Sequence, residues 1–300
     1  MSRTGISLLV FVLLTIVIIA TALFLPTTPK NELPHIIPVF DNAKMVAPKS
    51  AASLEAIFSS IGYTLPSVKS GAKLVPNLYI RELPPDFSKI TDIKRRKALF
   101  IKTILPLALA VNDRLKKYRD TLIELDQPNR TLTVEERQWV KSIAKLHKSP
   151  DQVPGKLLSR IGPLPVDLII AQAAVESGWG TSRFATEGNA LFGQWTWKKG
   201  GGIIPLERED GETYAVKSYP SLIESVWDYA YNLNTSNSYQ KFREARAQRI
   251  RDGLPLNAIA LIKNLKNYSQ KGDAYIATLR EVIKQNNLAT FNQTKSEKPT

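Results

Sequence analysis

The stretch Pro163–Trp197, PLPVDLIIAQAAVESGWGTSRFATEGNALFGQWTW, decides how the chain is read. Pro165 has the fixed φ that suits a first helical turn, and the charge of Asp167 complements the positive end of a helix dipole. Leu168, Ile169, Ile170, Ala171, Ala173, Ala174 and Val175 leave almost no polar face, so the pattern predicts a buried helix over Pro165–Glu176. Glu176 is its last residue before Ser177-Gly178, and Gln172 lies one turn earlier on the same face. A carboxylate at that point meets the negative end of the dipole and loses water. Both effects push its pKa upward, as a general acid working near neutral pH requires. The plain alternative is an exposed helix-end glutamate without a role, and placement alone would favour it.

The surroundings shift that balance. Gly178 and Gly180 let the chain leave the helix sharply, with Trp179 between them. Trp179, Trp195, Trp197 and Trp227 fall in one region, joined by Phe184, Phe192, Tyr214, Tyr219, Tyr229, Tyr231 and Tyr239. Aromatic rings beside a carboxyl group suit a cleft for sugars, since rings stack on the apolar faces of pyranoses. Several of these rings belong to the core, Trp227 among them at helical spacing from Ile223. Trp179 and Trp195 are the better cleft candidates, and Gln172 is the polar neighbour expected at the substrate.

Ala171–Gly180 (AQAAVESGWG), followed by Ser182-Arg183-Phe184-Ala185 and Asn189-Ala190-Leu191-Phe192-Gly193, resembles the signature of the bacterial peptidoglycan N-acetylglucosaminidases of glycoside hydrolase family 73. The chain as a whole is similar to the Bax subfamily, through Asp92–Lys97, Phe100-Ile101, Leu105-Pro106 and Tyr268–Tyr275 (YSQKGDAY). The resemblance implies a mainly α, lysozyme-like helical lobe with a small antiparallel β lobe, the cleft lying between them. It implies that Glu176 is the catalytic acid and that a second carboxylate sits on the β lobe. That position maps loosely onto Glu207-Arg208-Glu209-Asp210-Gly211, with Glu207 chosen and Glu209 in reserve. Tyr268 matches a tyrosine lining the cleft. The activity implied is hydrolysis of the β-1,4 bond after N-acetylglucosamine in peptidoglycan glycan strands, with no metal or cofactor needed. A lytic transglycosylase, which also uses one helix-end glutamate, and a non-catalytic anchored wall-binding module are the competing readings.

Further out, Ile6–Leu25 is an uncharged apolar run closed by Pro26, long enough to span ~30 Å of hydrocarbon. It is expected to be an uncleaved transmembrane anchor, with a signal peptide cut near Ala20-Thr21-Ala22 as the rival. Either places the working part outside the cytoplasm, in the periplasm or secreted, with peptidoglycan and the inner membrane as partners and nucleic acid disfavoured. Residues 26–50, rich in proline, read as a tether; 51–162 as a helical N-terminal region; 163–288 as the catalytic domain; 289–300 as a disordered tail. Within 51–162, Asp92–Asp126 predicts one long helix with an apolar stripe of Phe100, Ile104, Ala108, Val111, Leu115, Tyr118 and Leu122, kinked at Pro106. Thr133-Val134-Glu135-Glu136 is a capping box opening the next helix. Forty-one Lys and Arg against twenty-seven Asp and Glu give a net charge of +14, suited to an anionic partner. The charges of the long helix are most simply a solvated face. Zero cysteines exclude disulfides and thiolate metal sites, and the two histidines, His35 and His147, lack ligand spacing.

Overall fold

The structure, a computed structural model, describes residues 33–36, 40 and 44–297. From Pro34 onward the chain forms one compact unit. Its axis is a 33-residue helix, α3 (Ile93–Leu125), which Asp92 caps by accepting the Arg95 N–H at 3.1 Å and which ends at Asp126. All seven residues of the expected stripe are fully buried. Burial goes further than one stripe: every residue from Thr103 to Leu109 is buried. Pro106 sits inside α3 without ending it. The flanking charges are partly consumed in the fold. Arg95 pairs with Glu55 at 2.7 Å, Arg96 donates to the Ile90 carbonyl, and Arg119 donates to the carbonyls of Ile161 and Leu158.

Against α3 lies a second buried helix, α6 (Val166–Ser177), as the apolar run from Leu168 to Val175 requires. It is preceded by α1 (Ala51–Ser60), α2 (Leu65–Lys69), α4 (Val134–Leu146) and α5 (Pro154–Leu157). The capping box of α4 forms as expected: Glu136 N–H donates to Thr133 Oγ1 at 3.2 Å and Thr133 N–H to Glu136 Oε2 at 2.8 Å. After α7 (Arg183–Gly188) come β3 (Trp195–Thr196), β4 (Gly202–Ile203) and β5 (Ala215–Lys217). They form a small antiparallel sheet in the order β3-β5-β4, with Trp195 and Ile203 both opposite Val216. The chain then returns through α8 (Leu222–Thr235), α9 (Gln240–Arg251), α10 (Ala258–Leu261), a 3-10 segment Ile262–Tyr268 and α11 (Asp273–Gln285). The architecture is mainly helical with a small antiparallel sheet, as the sequence implied. Among the described residues no helix is long and apolar enough to cross a membrane, and Ile6–Leu25 lies outside those residues.

Three expected boundaries change. The tail is not disordered over residues 289–297: Leu288–Gln293 is a 3-10 helix with Phe291 fully buried, and Val75 exchanges hydrogen bonds with Lys295 and Glu297. Asn292 Oδ1 accepts the Asp167 N–H at 3.1 Å, so the tail caps α6. The tether also joins the fold. Its β1 (Lys44–Val46) runs parallel to β2 (Leu78–Ile80), and the His35 and Ile36 carbonyls accept from the Tyr118 hydroxyl at 2.8 and 2.9 Å. Residues 162 and 163 mark no division, because α3 packs directly on α6. A few anchoring side chains in polar surroundings carry these contacts, and hydrophobic periodicity does not register them.

His147, at the end of α4, is fully buried between the rings of Tyr118 and Tyr231, with centroids 6.3 and 6.1 Å away. Neither ring nitrogen has a partner among the described residues. Burial, then the nearby guanidinium groups of Arg246 and Arg160, pull its pKa from 6.5 down to about 3. With the folded value depressed, the unfolded chain takes up the proton first, so stability is held above pH 6.5 and lost as pH falls toward 3. Denaturant titrations of wild type and His147→Phe are therefore expected to differ in acid. The wild type loses up to about 1.4 kcal/mol more per pH unit across that window, and parallel acid limbs would contradict the assignment.

Candidate active site

The site begins where α6 stops. Gly178 (φ +58), Trp179 (φ +57) and Gly180 (φ +78) are consecutive left-handed residues that turn the chain back under the helix end. Trp179 N–H donates to the Ala174 carbonyl at 2.7 Å, and Ser177 Oγ accepts from the Gly180 N–H at 2.9 Å. A Cβ on Gly180 would stand 2.8–3.1 Å from Leu83, Phe87 and Phe100, so the turn is pressed onto the N-terminal region with no room for a side chain. This turn leaves Glu176, the penultimate residue of α6, half-buried.

Behind Glu176 stands a chain of hydrogen bonds. The Tyr229 hydroxyl donates to Gln172 Oε1 at 2.5 Å, Gln172 Nε2 donates to the Tyr275 hydroxyl at 2.8 Å, and Tyr275 donates to Glu176 Oε1 at 2.7 Å. Gln172, Tyr229 and Tyr275 are all buried. Tyr268 stacks flat on Tyr275 (5.7 Å, 5°) and meets Tyr229 edge-on and Tyr239 at a tilt, while Phe192 stacks on Tyr229 at 4.0 Å. Loss of water in this aromatic shell pushes the Glu176 carboxyl above its ordinary 4.5, against the opposing pull of the Tyr275 hydrogen bond and the Lys271 charge. Burial likewise pushes the Tyr275 hydroxyl well up, helped by the adjacent Glu176 charge, so it stays a donor.

The expected site residues divide. Tyr268 and Gln172 join Glu176, but Gln172 is fully buried and lies behind the carboxyl, so its expected contact with substrate is corrected to a contact with two tyrosines. Trp179 packs on α3, edge-on to Phe100 at 5.7 Å with Lys97 Nζ 4.7 Å over its ring. Trp195 is 54% exposed, stacked on Tyr214 at 4.3 Å. With Trp197, Lys217, Asp228, Tyr231 and Lys148 it lines a groove of about 620 Å³. Glu207 and Glu209 are exposed on the loop between β4 and β5, and neither side chain makes a hydrogen bond or ion pair to a described residue. The structure therefore does not bring Glu207 into the tyrosine shell. Sequence reasoning gave no site role to Tyr275, present only as the end of the YSQKGDAY block that carries the resemblance, and none to Asp228. Asp228 Oδ2 holds Lys217 Nζ at 2.7 Å and the Tyr219 hydroxyl at 2.7 Å at the groove wall.

A family described as Mannosyl-glycoprotein endo-beta-N-acetylglucosaminidase matches residues 156–288. Protein bax of Escherichia coli (strain K12) is 34% identical over 197 residues, covering 64% of this chain and 70% of that protein. The chain belongs to the glucosaminidase family, in the Bax subfamily. Among solved structures, the catalytic domain of the autolysin Auto from Listeria monocytogenes aligns with a TM-score of 0.34 at 22% identity, covering 59% of this chain and 97% of that one. This glucosaminidase is a glycoside hydrolase, and its half-buried, uphill-shifted carboxyl lies inside the matched region.

A carboxyl held above its solution pKa favours the fold when protonated, and that contribution is lost as pH rises through the folded value. Glu176→Gln is accordingly expected to raise the thermal midpoint at pH 8 by roughly 2–4 °C. The gain should vanish below the ordinary carboxylate range. Equal midpoints at pH 8 would contradict the buried-carboxyl reading.

Proposed function

We propose that this glucosaminidase is an endo-acting peptidoglycan hydrolase that cuts the β-1,4 bond after N-acetylglucosamine, with Glu176 as general acid. The observation that carries the reading is the Glu176 carboxyl at the end of α6, gripped on Oε1 by Tyr275 and pushed up by burial. Protonated on Oε2, Glu176 donates to the leaving glycosidic oxygen as positive charge grows on the sugar. The second half can run two ways. Glu207 can activate water on the opposite face, giving inversion, or the acetamido oxygen of the substrate can attack the anomeric carbon, giving retention once water opens the cyclic intermediate. The exposed, unanchored position of Glu207 favours the second. Trp195 and Trp197 expose ring faces that can stack on sugars, in a groove that Glu176 itself does not line. A wall substrate agrees with the reading of Ile6–Leu25 as an inner-membrane anchor that leaves the catalytic unit in the periplasm.

On purified sacculi, Glu176→Gln is expected to lose at least about a thousandfold in rate, while Glu207→Gln stays within about threefold of wild type. A Glu176→Gln enzyme that still cuts at the wild-type rate would refute the acid assignment. A Glu207→Gln enzyme as dead as Glu176→Gln would return the second role to that carboxylate.

A further inference from the structure

We propose that Tyr229 and Gln172 are positioning residues that fix the direction of the hydrogen-bond chain ending on Glu176, and thereby which carboxyl oxygen carries the proton delivered to substrate. The inference rests on Glu176 being the acid. Its basis is an inventory of hydrogens. The Tyr229 hydroxyl is fully buried, carries one hydrogen, and finds one partner among the described residues, Gln172 Oε1 at 2.5 Å. With the amide oxygen committed there, Gln172 must present its NH2 to Tyr275, 2.8 Å away. Tyr275, having accepted that bond, spends its own hydrogen on Glu176 Oε1. Oε1 is thus always an acceptor, and the acid proton is confined to Oε2.

The opposite polarity also satisfies the middle of the chain. A flipped Gln172 amide would accept from Tyr275 and donate to the Tyr229 oxygen, and a neutral Glu176 would donate from Oε1 back to Tyr275. That arrangement strands the buried Tyr229 hydrogen without an acceptor, a cost borne nowhere in the observed direction. Tyr229 therefore sets the polarity from two links away, touching neither Glu176 nor the groove. The stack on Phe192 at 4.0 Å holds its ring in place. The other groups facing the carboxyl are Lys271, ahead of α11, and Tyr239 and Tyr268 from the segments after α8 and α10; Asp167 bears on Tyr229 from the far end of α6. None of them is altered by the variants below.

Tyr229→Phe keeps the ring and removes the polarity. The chain then exists both ways, and neutral Glu176 gains a partner it lacks in the wild type. The expected results are a roughly tenfold fall in kcat, with KM within about twofold, and an alkaline limb of the kcat–pH profile moved to higher pH. The Gln172 side-chain NH2 resonances should also pass from one set to two. In a Tyr275→Phe background the same change should add no further shift. Should Tyr229→Phe fail to fold, Gln172→Met deletes the same link and reads the same limb. An unmoved limb with a single amide set, or additive shifts in the double variant, would overturn the proposal. Loss of the acid assignment would show separately, as an active Glu176→Gln enzyme, while the amide resonances report without any substrate.

Discussion

One carboxyl group is kept where both its own helix and its surroundings oppose its charge. Glu176 stands at the negative end of α6, in a shell of tyrosine and phenylalanine rings that excludes water. Such a group is a cost to the fold at neutral pH, and an upward-shifted carboxyl is what a general acid requires. The Tyr275 hydrogen bond moderates the shift and leaves one oxygen free.

The supporting structure extends well outside the region matched by the family. The left-handed turn after α6 rests on Leu83, Phe87 and Phe100, and α6 itself is packed by α3, all lying before residue 156. At its other end, α6 is tied by Asp167, whose buried carboxylate accepts the N–H groups of Leu168 and Ala258, and by Asn292 from the C-terminal tail. Helix α6 is thus clamped at both ends by segments distant in sequence. This explains why the chain from Pro34 onward forms one unit rather than a helical region followed by a separable enzyme.

Much of this was legible in the residues. The α6 run, the Gly178 exit, the long α3 with its stripe and the Thr133 cap all follow from local rules of periodicity and capping, and the structure has each of them. The position of Glu176 at a helix end was equally plain. Local rules do not show which distant side chains meet. Tyr275 on α11 and Tyr229 on α8 reach Glu176 and Gln172 only through the tertiary fold, and no spacing along the chain encodes that meeting. Gln172 illustrates the error this invites: a polar side chain one turn from a candidate acid reads as a substrate contact, yet it is buried and bonded to two tyrosines. Glu207, mapped onto its loop by resemblance alone, lies exposed there and outside the tyrosine shell.

The most direct measurement of the central claim is the titration of the Glu176 side-chain carboxyl carbon by NMR in the wild-type protein, assigned by comparison with Glu176→Gln. A midpoint clearly above the ordinary glutamate value of 4.5 is the result this account requires. A midpoint at or below that value would mean that the carboxyl is ionised and well solvated in the free enzyme, and the buried acid at the end of α6 would have to be abandoned.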